Sequence, residues 1–180
     1  MILLLLADGF EETEALVPVD LLCRAKLDVR TVGITGKTVT GAHGIAVTAQ
    51  LSPRDVKGKI DALILPGGMP GAKNLDNSSD VDRLIEQTVA DGGHLAAICA
   101  APMVLGHRGL LKGKRAVCFP GFESELTGAI RTENRVETDG KVTTAVGMGA
   151  AYEFGLELIS VLAGSATAEA VRRSALIPSL

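Results

Sequence analysis

The stretch His94-Leu-Ala-Ala-Ile-Cys-Ala-Ala-Pro-Met-Val-Leu105 decides the fold of this chain. It opens as a short apolar run, reaches a single cysteine at Cys99 and continues in a helical pattern. Ala96 and Ala97 precede the thiol, and Ala100 and Ala101 follow it. Pro102 falls in the first turn of that helix, where no intrahelical N–H is required. A strand that turns straight into a helix holds its junction residue on a sharp bend at the carboxyl edge of a sheet. Bulky neighbours would clash there, and the adjoining helix N-terminus favours a thiolate. A free cysteine is more often a small buried hydrophobe. The bend is what makes Cys99 a candidate nucleophile.

Outward from this junction, strands and helices alternate. Residues 2–7 are a continuous apolar run of the kind found in central parallel strands, broken by Asp8-Gly9-Phe10. Leu16, Val17, Val19, Leu21, Leu22 and Ala25 then predict a helix over residues 13–25, with an irregularity at Pro18. Glu11, Glu12 and Glu14 suit the positive end of that helix, where they read as solvated charges. Residues 29–34 and 60–65 read as further strands, with a small hairpin around Gly41-Ala42-His43-Gly44 between them.

The second of these strands ends in Pro66-Gly67-Gly68-Met69-Pro70-Gly71-Ala72, a loop placed where open α/β sheets bind ligands. It lacks the lysine and hydroxyl residue of a phosphate loop and the spacing of a dinucleotide fingerprint. Its glycines let backbone N–H groups approach a substrate oxygen, and a plain tight turn would need them too. Residues 80–90 predict an amphipathic helix with Val81, Leu84, Ile85 and Val89 on its apolar face. After the cysteine helix come a short strand over residues 115–119, a hairpin over 136–144, and helices over 150–162 and 167–173. The alternation predicts a doubly wound α/β sandwich around a mainly parallel sheet, with residues 1–180 forming one domain.

Composition bounds what such a fold does. A net charge of −3 gives no basic footprint, and 3% aromatic residues give little surface for base stacking, so nucleic-acid binding is not expected. Cys23, Cys99 and Cys118 are odd in number and lack metal-ligand spacing, which argues against a disulfide framework or a zinc site. The opening apolar run is too short to span a membrane and has no basic leader, so the expected setting is a reducing cytoplasm.

Three segments together carry a resemblance. They are Ala-Ala-Ile-Cys99-Ala-Ala-Pro, Leu-Pro66-Gly67-Gly68-Met-Pro-Gly-Ala-Lys-Asn74-Leu, and Gly9-Phe-Glu11-Glu12-Thr-Glu14-Ala. In this order and register the chain resembles the ThiJ/PfpI superfamily, and within it the protein-deglycase branch. Pro18-Val19-Asp20, Glu133 to Glu137 and Gly147-Met-Gly149 extend the resemblance over nearly the whole length. It implies a flavodoxin-like sandwich, a homodimer and no cofactor. Cys99 falls on the family's nucleophile, Glu14 on the acid that hydrogen-bonds it, and Gly68 and Ala100 on the N–H pair that holds an oxyanion, with Gly67 in the same loop. Arg24 falls on a basic residue near the pocket. His43 corresponds to a basic residue that the family supplies from the partner subunit.

The resemblance also shows a departure. A pocket histidine of the branch lies just before a proline, where this chain has Phe119 before Pro120. More distant members carry a histidine directly after the cysteine, where this chain has Ala100. His94 and His107 read as surface or structural residues, Cys118 as a buried small residue beside the lost histidine, and Cys23 as core or interface. Proton chemistry then rests on Glu14, whose carboxyl must be kept protonated by burial to donate to a thiolate rather than repel it.

Two function classes follow from the resemblance. In the first, Cys99 adds to a small reactive carbonyl (glyoxal, methylglyoxal, or their early adducts on proteins or nucleotides), giving glycolate or lactate. In the second, Cys99 is a sensor in an oxidative-stress protein or chaperone, oxidised to a sulfinic acid bridged by Glu14. A cysteine protease or amidotransferase is a weaker third, since no histidine base adjoins Cys99.

Overall fold

Strand β1 (Ile2–Leu6) is buried on both faces, and its alternation divides the core. In the computed structural model, which describes residues 1–178, Leu3, Leu5 and Ala7 face one apolar cluster while Ile2, Leu4 and Leu6 face another. That is the pattern required of a strand with helices packed above and below the sheet. Each fully buried leucine is worth about 1.5–3 kcal/mol relative to exposure, so this strand anchors the sheet.

The chain continues through α1 (Glu12–Arg24), β2 (Val29–Gly33) and the antiparallel hairpin β3 (Thr38–Thr40) and β4 (Ala46–Thr48), as the sequence predicts. Strand β5 (Ala62–Leu65) leads to α2 (Gly71–Asp76) and α3 (Ser79–Ala90). Strand β6 (His94–Ile98) feeds the elbow and α4 (Pro102–His107), with Pro102 at its first position. Two-residue strands β7 (Arg115–Ala116) and β8 (Ile130–Arg131) pair in parallel beside the main sheet. The edge hairpin β9 (Val136–Asp139) and β10 (Val142–Ala145) precedes α5 (Ala151–Ala163) and α6 (Ser165–Ser174).

The main sheet has the order β2-β1-β5-β6-β10-β9, parallel throughout except for β9 at the edge. Its five parallel strands follow the flavodoxin-like order, whose switch point lies between β1 and β5. Helices α2, α3 and α4 cover one face, and α1, α5 and α6 the other. Helices α1 and α5 cross closely at Gly155, where an added Cβ would stand 2.7 Å from Leu21 Cδ1 and 3.3 Å from Pro18 Cα.

Several local expectations are corrected. The glycine loop is shorter than predicted, because Gly71 already begins α2 behind an N-cap at Pro70. The strand expected over residues 115–119 stops at Ala116. Val117 N–H instead donates to Thr144 Oγ1 at 2.9 Å, and Phe119 N–H to the Cys99 carbonyl at 2.8 Å, so both leave the ladder. Val89 is half exposed, because Val81, Leu84, Ile85 and Thr88 form the stripe over the sheet and Val89 lies at its margin.

Candidate active site

The carboxyl ends of β1, β5, β6 and β10 bring four loops together, and Cys99 stands where they meet. Its N–H extends the sheet ladder to the Ala145 carbonyl at 2.9 Å, and its own carbonyl accepts the Phe119 N–H. Between these bonds the backbone turns into the left-handed region, with φ +65°. Such a conformation costs a non-glycine residue about 1–3 kcal/mol and persists because both sides of the peptide are held. The N–H groups of Gly68 and Ala100 both act on the thiol in the sense that favours its ionised form. The predicted pair of oxyanion donors thus converges on sulfur.

Glu14 comes from the first turn of α1. Glu11 caps this helix, its carboxylate accepting the Glu14 N–H at 2.6 Å. The Glu14 side chain is 1% exposed and passes beneath the β5 loop, where Oε2 accepts the Gly67 N–H at 2.9 Å. The Cys99 thiol and the Met148 N–H also act on it, both favouring its ionised form. Gly67 has to be glycine here. A Cβ on it would stand 2.6 Å from both Cys99 Cβ and Glu14 Oε2, in the space where the two functional groups meet.

Burial pushes the Glu14 carboxyl up to about 7, with the nearby Glu11 charge adding to it against the Cys99, Gly67 and Met148 hydrogen bonds. Burial also pushes the Cys99 thiol up to about 12, followed by the charge and hydrogen bond of Glu14, against the Gly68 and Ala100 donors. A thiol beside an ionised carboxylate is therefore poorly acidic, contrary to a free thiolate favoured by the helix end. Passing the proton from sulfur to Glu14 changes no net charge, however, and avoids the state in which thiolate and carboxylate would repel each other. The thiolate then faces three donors: Glu14, Gly68 N–H and Ala100 N–H.

The other residues singled out in the sequence lie elsewhere. Arg24 is ten residues further along α1, about 15 Å by helical rise, exposed and paired with Asp20 at 2.7 Å. Within one chain it does not reach the thiol. His43 is exposed on the β3–β4 turn, its ring Nδ1 2.8 Å from Glu12 Oε2. Glu12 is not a solvated helix-end charge. It is 6% exposed and clasps that turn, since Oε1 also accepts the His43 N–H at 2.8 Å. Cys118 is buried, its thiol pushed up to about 11 by burial. Cys23 is exposed, so it is not a core residue. His94 is buried against Thr143 Oγ1 at 2.8 Å, and burial pushes it down to about 4. His107 sits between Asp76 and Glu125, each at 2.8 Å.

Gly147 and Met148, which the sequence marks as part of the resemblance without assigning them a site role, also lie here. A Cβ on Gly147 would be 3.1 Å from the Phe119 ring and 3.9 Å from Glu14 Oε1, so this loop closes over the acid. A glycine directly past the carboxyl end of a parallel strand was the available signal.

Glu11, Glu12 and His43 place ligand atoms within 4.8 Å of one another. Glu11 is engaged as a cap and Glu12 holds the His43 backbone and ring, which accounts for the cluster as a clasp between α1 and the hairpin. A groove of about 630 Å³ between α3 and the end of α4, lined by Ile85, Val89, Arg108 and Leu110, contains no nucleophile. Chemistry rather than cavity size locates the site.

A flavodoxin-like sandwich with a cysteine on a strand-to-helix elbow and a buried glutamate against it defines a class of cysteine-bearing α/β proteins. The chain belongs to the DJ-1/PfpI family, which it matches over residues 1–161. It is 37% identical over 167 residues to Protein DJ-1 homolog B of Arabidopsis thaliana, covering 91% of this chain and 38% of that protein. The chain thus spans well under half the length of that plant relative. It is 34% identical to the Parkinson disease protein 7 homolog of Danio rerio, covering 94% of this chain and 93% of that one. The glutathione-independent glyoxalase DJR-1.2 of Caenorhabditis elegans is 32% identical, over 91% of this chain and 88% of its own. Among solved structures, oxidized Toxoplasma gondii DJ-1 superposes with a TM-score of 0.94 at 34% identity, covering 99% of this chain and 98% of that one.

Proposed function

We propose that the protein is a cofactor-independent cysteine enzyme that converts small 2-oxoaldehydes to 2-hydroxy acids, methylglyoxal to lactate and glyoxal to glycolate. The carrying observation is the Glu14–Cys99 pair beneath the Gly68 and Ala100 N–H groups. The glyoxalase name of the nematode relative supports the substrate class.

With the proton on Glu14, the Cys99 thiolate adds to the aldehyde carbon. A C–S bond forms and the carbonyl π electrons move to oxygen, where the Gly68 and Ala100 N–H groups stabilise the charge. Glu14 protonates that oxygen, then as carboxylate removes the proton on the former aldehyde carbon. After exchange with solvent it delivers a proton to the neighbouring carbon, while the hydroxyl proton passes from the first oxygen to the second. The first carbon is oxidised to the thioester level while the second is reduced to a carbinol, so no external oxidant is needed. Water then cleaves the C–S bond, regenerates the thiol and releases the hydroxy acid.

A homodimer is part of this reading. Leu16 on α1 and Ile45 on the hairpin are 39% and 54% exposed on elements joined by the Glu12–His43 clasp, an apolar surface that suits a second copy. Such a dimer is the route by which His43 would approach a thiol. Among the described residues no helix is long and apolar enough to cross a membrane. We place the enzyme in a reducing cytoplasm, which suits three free thiols.

The test is methylglyoxal consumption and lactate formation in a thiol-free buffer by wild type, Cys99→Ala and Glu14→Gln. Lactate formation should require Cys99 and fall at least about 100-fold without the Glu14 carboxyl. Turnover unaffected by Cys99→Ala would sink the enzyme reading. A second reading, redox sensing, is favoured by the same donors, which would bind a sulfinate oxygen, and by the oxidized state named for the Toxoplasma relative. Mild peroxide should then oxidise Cys99 before Cys23 and Cys118. Equal oxidation of all three would count against it.

A further inference from the structure

Three large apolar side chains stand exposed at the loops that converge on the thiol. Met69 is 48% exposed and directly follows Gly68, whose N–H meets the sulfur. Met148 is 54% exposed, and its N–H meets Glu14. Phe119 is 47% exposed, tied to Cys99 through its own N–H, and its ring lies 3.1 Å from the Cβ position of Gly147, which is 3.9 Å from Glu14 Oε1. Leaving apolar surface of this size in water has no structural benefit, since none of the three fills the core.

Within one chain the charges that act on the thiol and its partner acid are negative, and Arg135, which reaches the Gly149 carbonyl, is neutralised by Glu153. Glu14 lies against the thiol and Glu11 acts on Glu14. The two bases considered in the sequence are engaged elsewhere, Arg24 with Asp20 and His43 with Glu12. A carbonyl compound with a carboxylate next to its reacting carbon would meet negative charge on one side and hydrocarbon on the other. A neutral compound with a methyl or phenyl substituent would bury that substituent against the ring and thioethers.

We propose that Phe119, with Met69 and Met148 on the neighbouring loops, is a specificity-determining residue: it seats the substituent of a neutral 2-oxoaldehyde and selects apolar substituents over anionic ones. The inference rests on Cys99 being the nucleophile of the proposed reaction. It adds that the residue in place of the family histidine is a binding surface and carries no proton.

The seat can be read without turnover. Phenacyl bromide and bromoacetone both alkylate thiols at a CH2 next to a ketone, with sulfur displacing bromide and the thiol proton passing to the medium. They differ only in phenyl against methyl. Exposed Cys23 supplies an internal reference in the same molecule, and peptide mapping assigns each adduct. At Cys99 the phenacyl-to-acetonyl rate ratio should exceed that at Cys23 by about tenfold, the discrimination an apolar pocket gives between substituents. Phe119→Ala should bring the two ratios together, and Phe119→Tyr should keep them apart. The ratio of kcat/KM for phenylglyoxal over glyoxal should fall in parallel in Phe119→Ala. Equal ratios at Cys99 and Cys23 in wild type, or no change on Phe119→Ala, would overturn the proposal. A wild type that shows the alkylation preference but turns over no dicarbonyl would leave the seat standing and remove the enzymatic reading.

Discussion

Glu14 and Cys99 hold one exchangeable proton between them once the pair has lost its first, and on the proposed reaction that proton decides reactivity. The first is lost as Glu14 titrates at about 7, where burial has raised it. From there upward the remaining proton moves between sulfur and carboxyl, and the thiolate form is one of its two positions. The expected kcat/KM therefore rises with pH through about 7 and then levels off. In Glu14→Gln the thiol must lose its proton to solvent, so the rising limb should move up by at least one pH unit; a pH–rate series on the two proteins checks this. Stability runs in the opposite sense. The folded value lies above the usual 4.5, so the contribution of Glu14 is full below pH 4.5 and lost as pH rises through about 7. The loss is about 3 kcal/mol. Urea unfolding should show this decline in wild type and not in Glu14→Gln. In the sequence alone Glu14 is one of three glutamates suited to a helix start, and only the family resemblance separates it from Glu12. Burial divides them in space: Glu12 goes to the hairpin and Glu14 to the thiol.

At the scale of elements, the elbow was legible because its signals are local: a short apolar strand, alanines that avoid clashes, and a proline at the first helical position. The α1–α5 crossing has no such signal. Its requirement for Gly155 arises from Leu21 and Pro18, more than 130 residues earlier in the chain, and becomes visible only when the two helices meet. Gly155→Val should cost about 1–3 kcal/mol by overpacking, read as a lower urea midpoint with unchanged slope. An unchanged midpoint would mean that the helices can separate without loss. Helix α2 was hidden for a related reason. It starts at Gly71 behind Pro70, residues that locally favour a turn, and its helical state depends on Ala72 and Leu75 reaching the core. The Gly147 loop belongs to the same group, since its closeness to Glu14 depends on β10 lying beside β6.

For the whole molecule, the sheet order places the site at the switch point between β1 and β5, so the loops after four parallel strands share one edge. The alternation of strands and helices made this architecture readable, whereas the distance of Arg24 from the thiol in a single chain was not. On the dimer reading, sedimentation should give twice the 18.6 kDa chain mass, and Leu16→Arg or Ile45→Arg should shift it to the monomer. A wild-type monomer with full turnover would mean that neither a dimer nor His43 takes part in the reaction.

On the proposed reaction Cys99 and Glu14 together move a proton between adjacent carbons of the substrate. Methylglyoxal converted in D2O, with the lactate read by NMR and Cys99→Ala as the background, reports that transfer. Cys99-dependent lactate should carry solvent deuterium on its second carbon, because the proton passes through a carboxyl that exchanges with water. Lactate formed equally by Cys99→Ala, or lactate that keeps the original hydrogen on that carbon, would contradict that transfer.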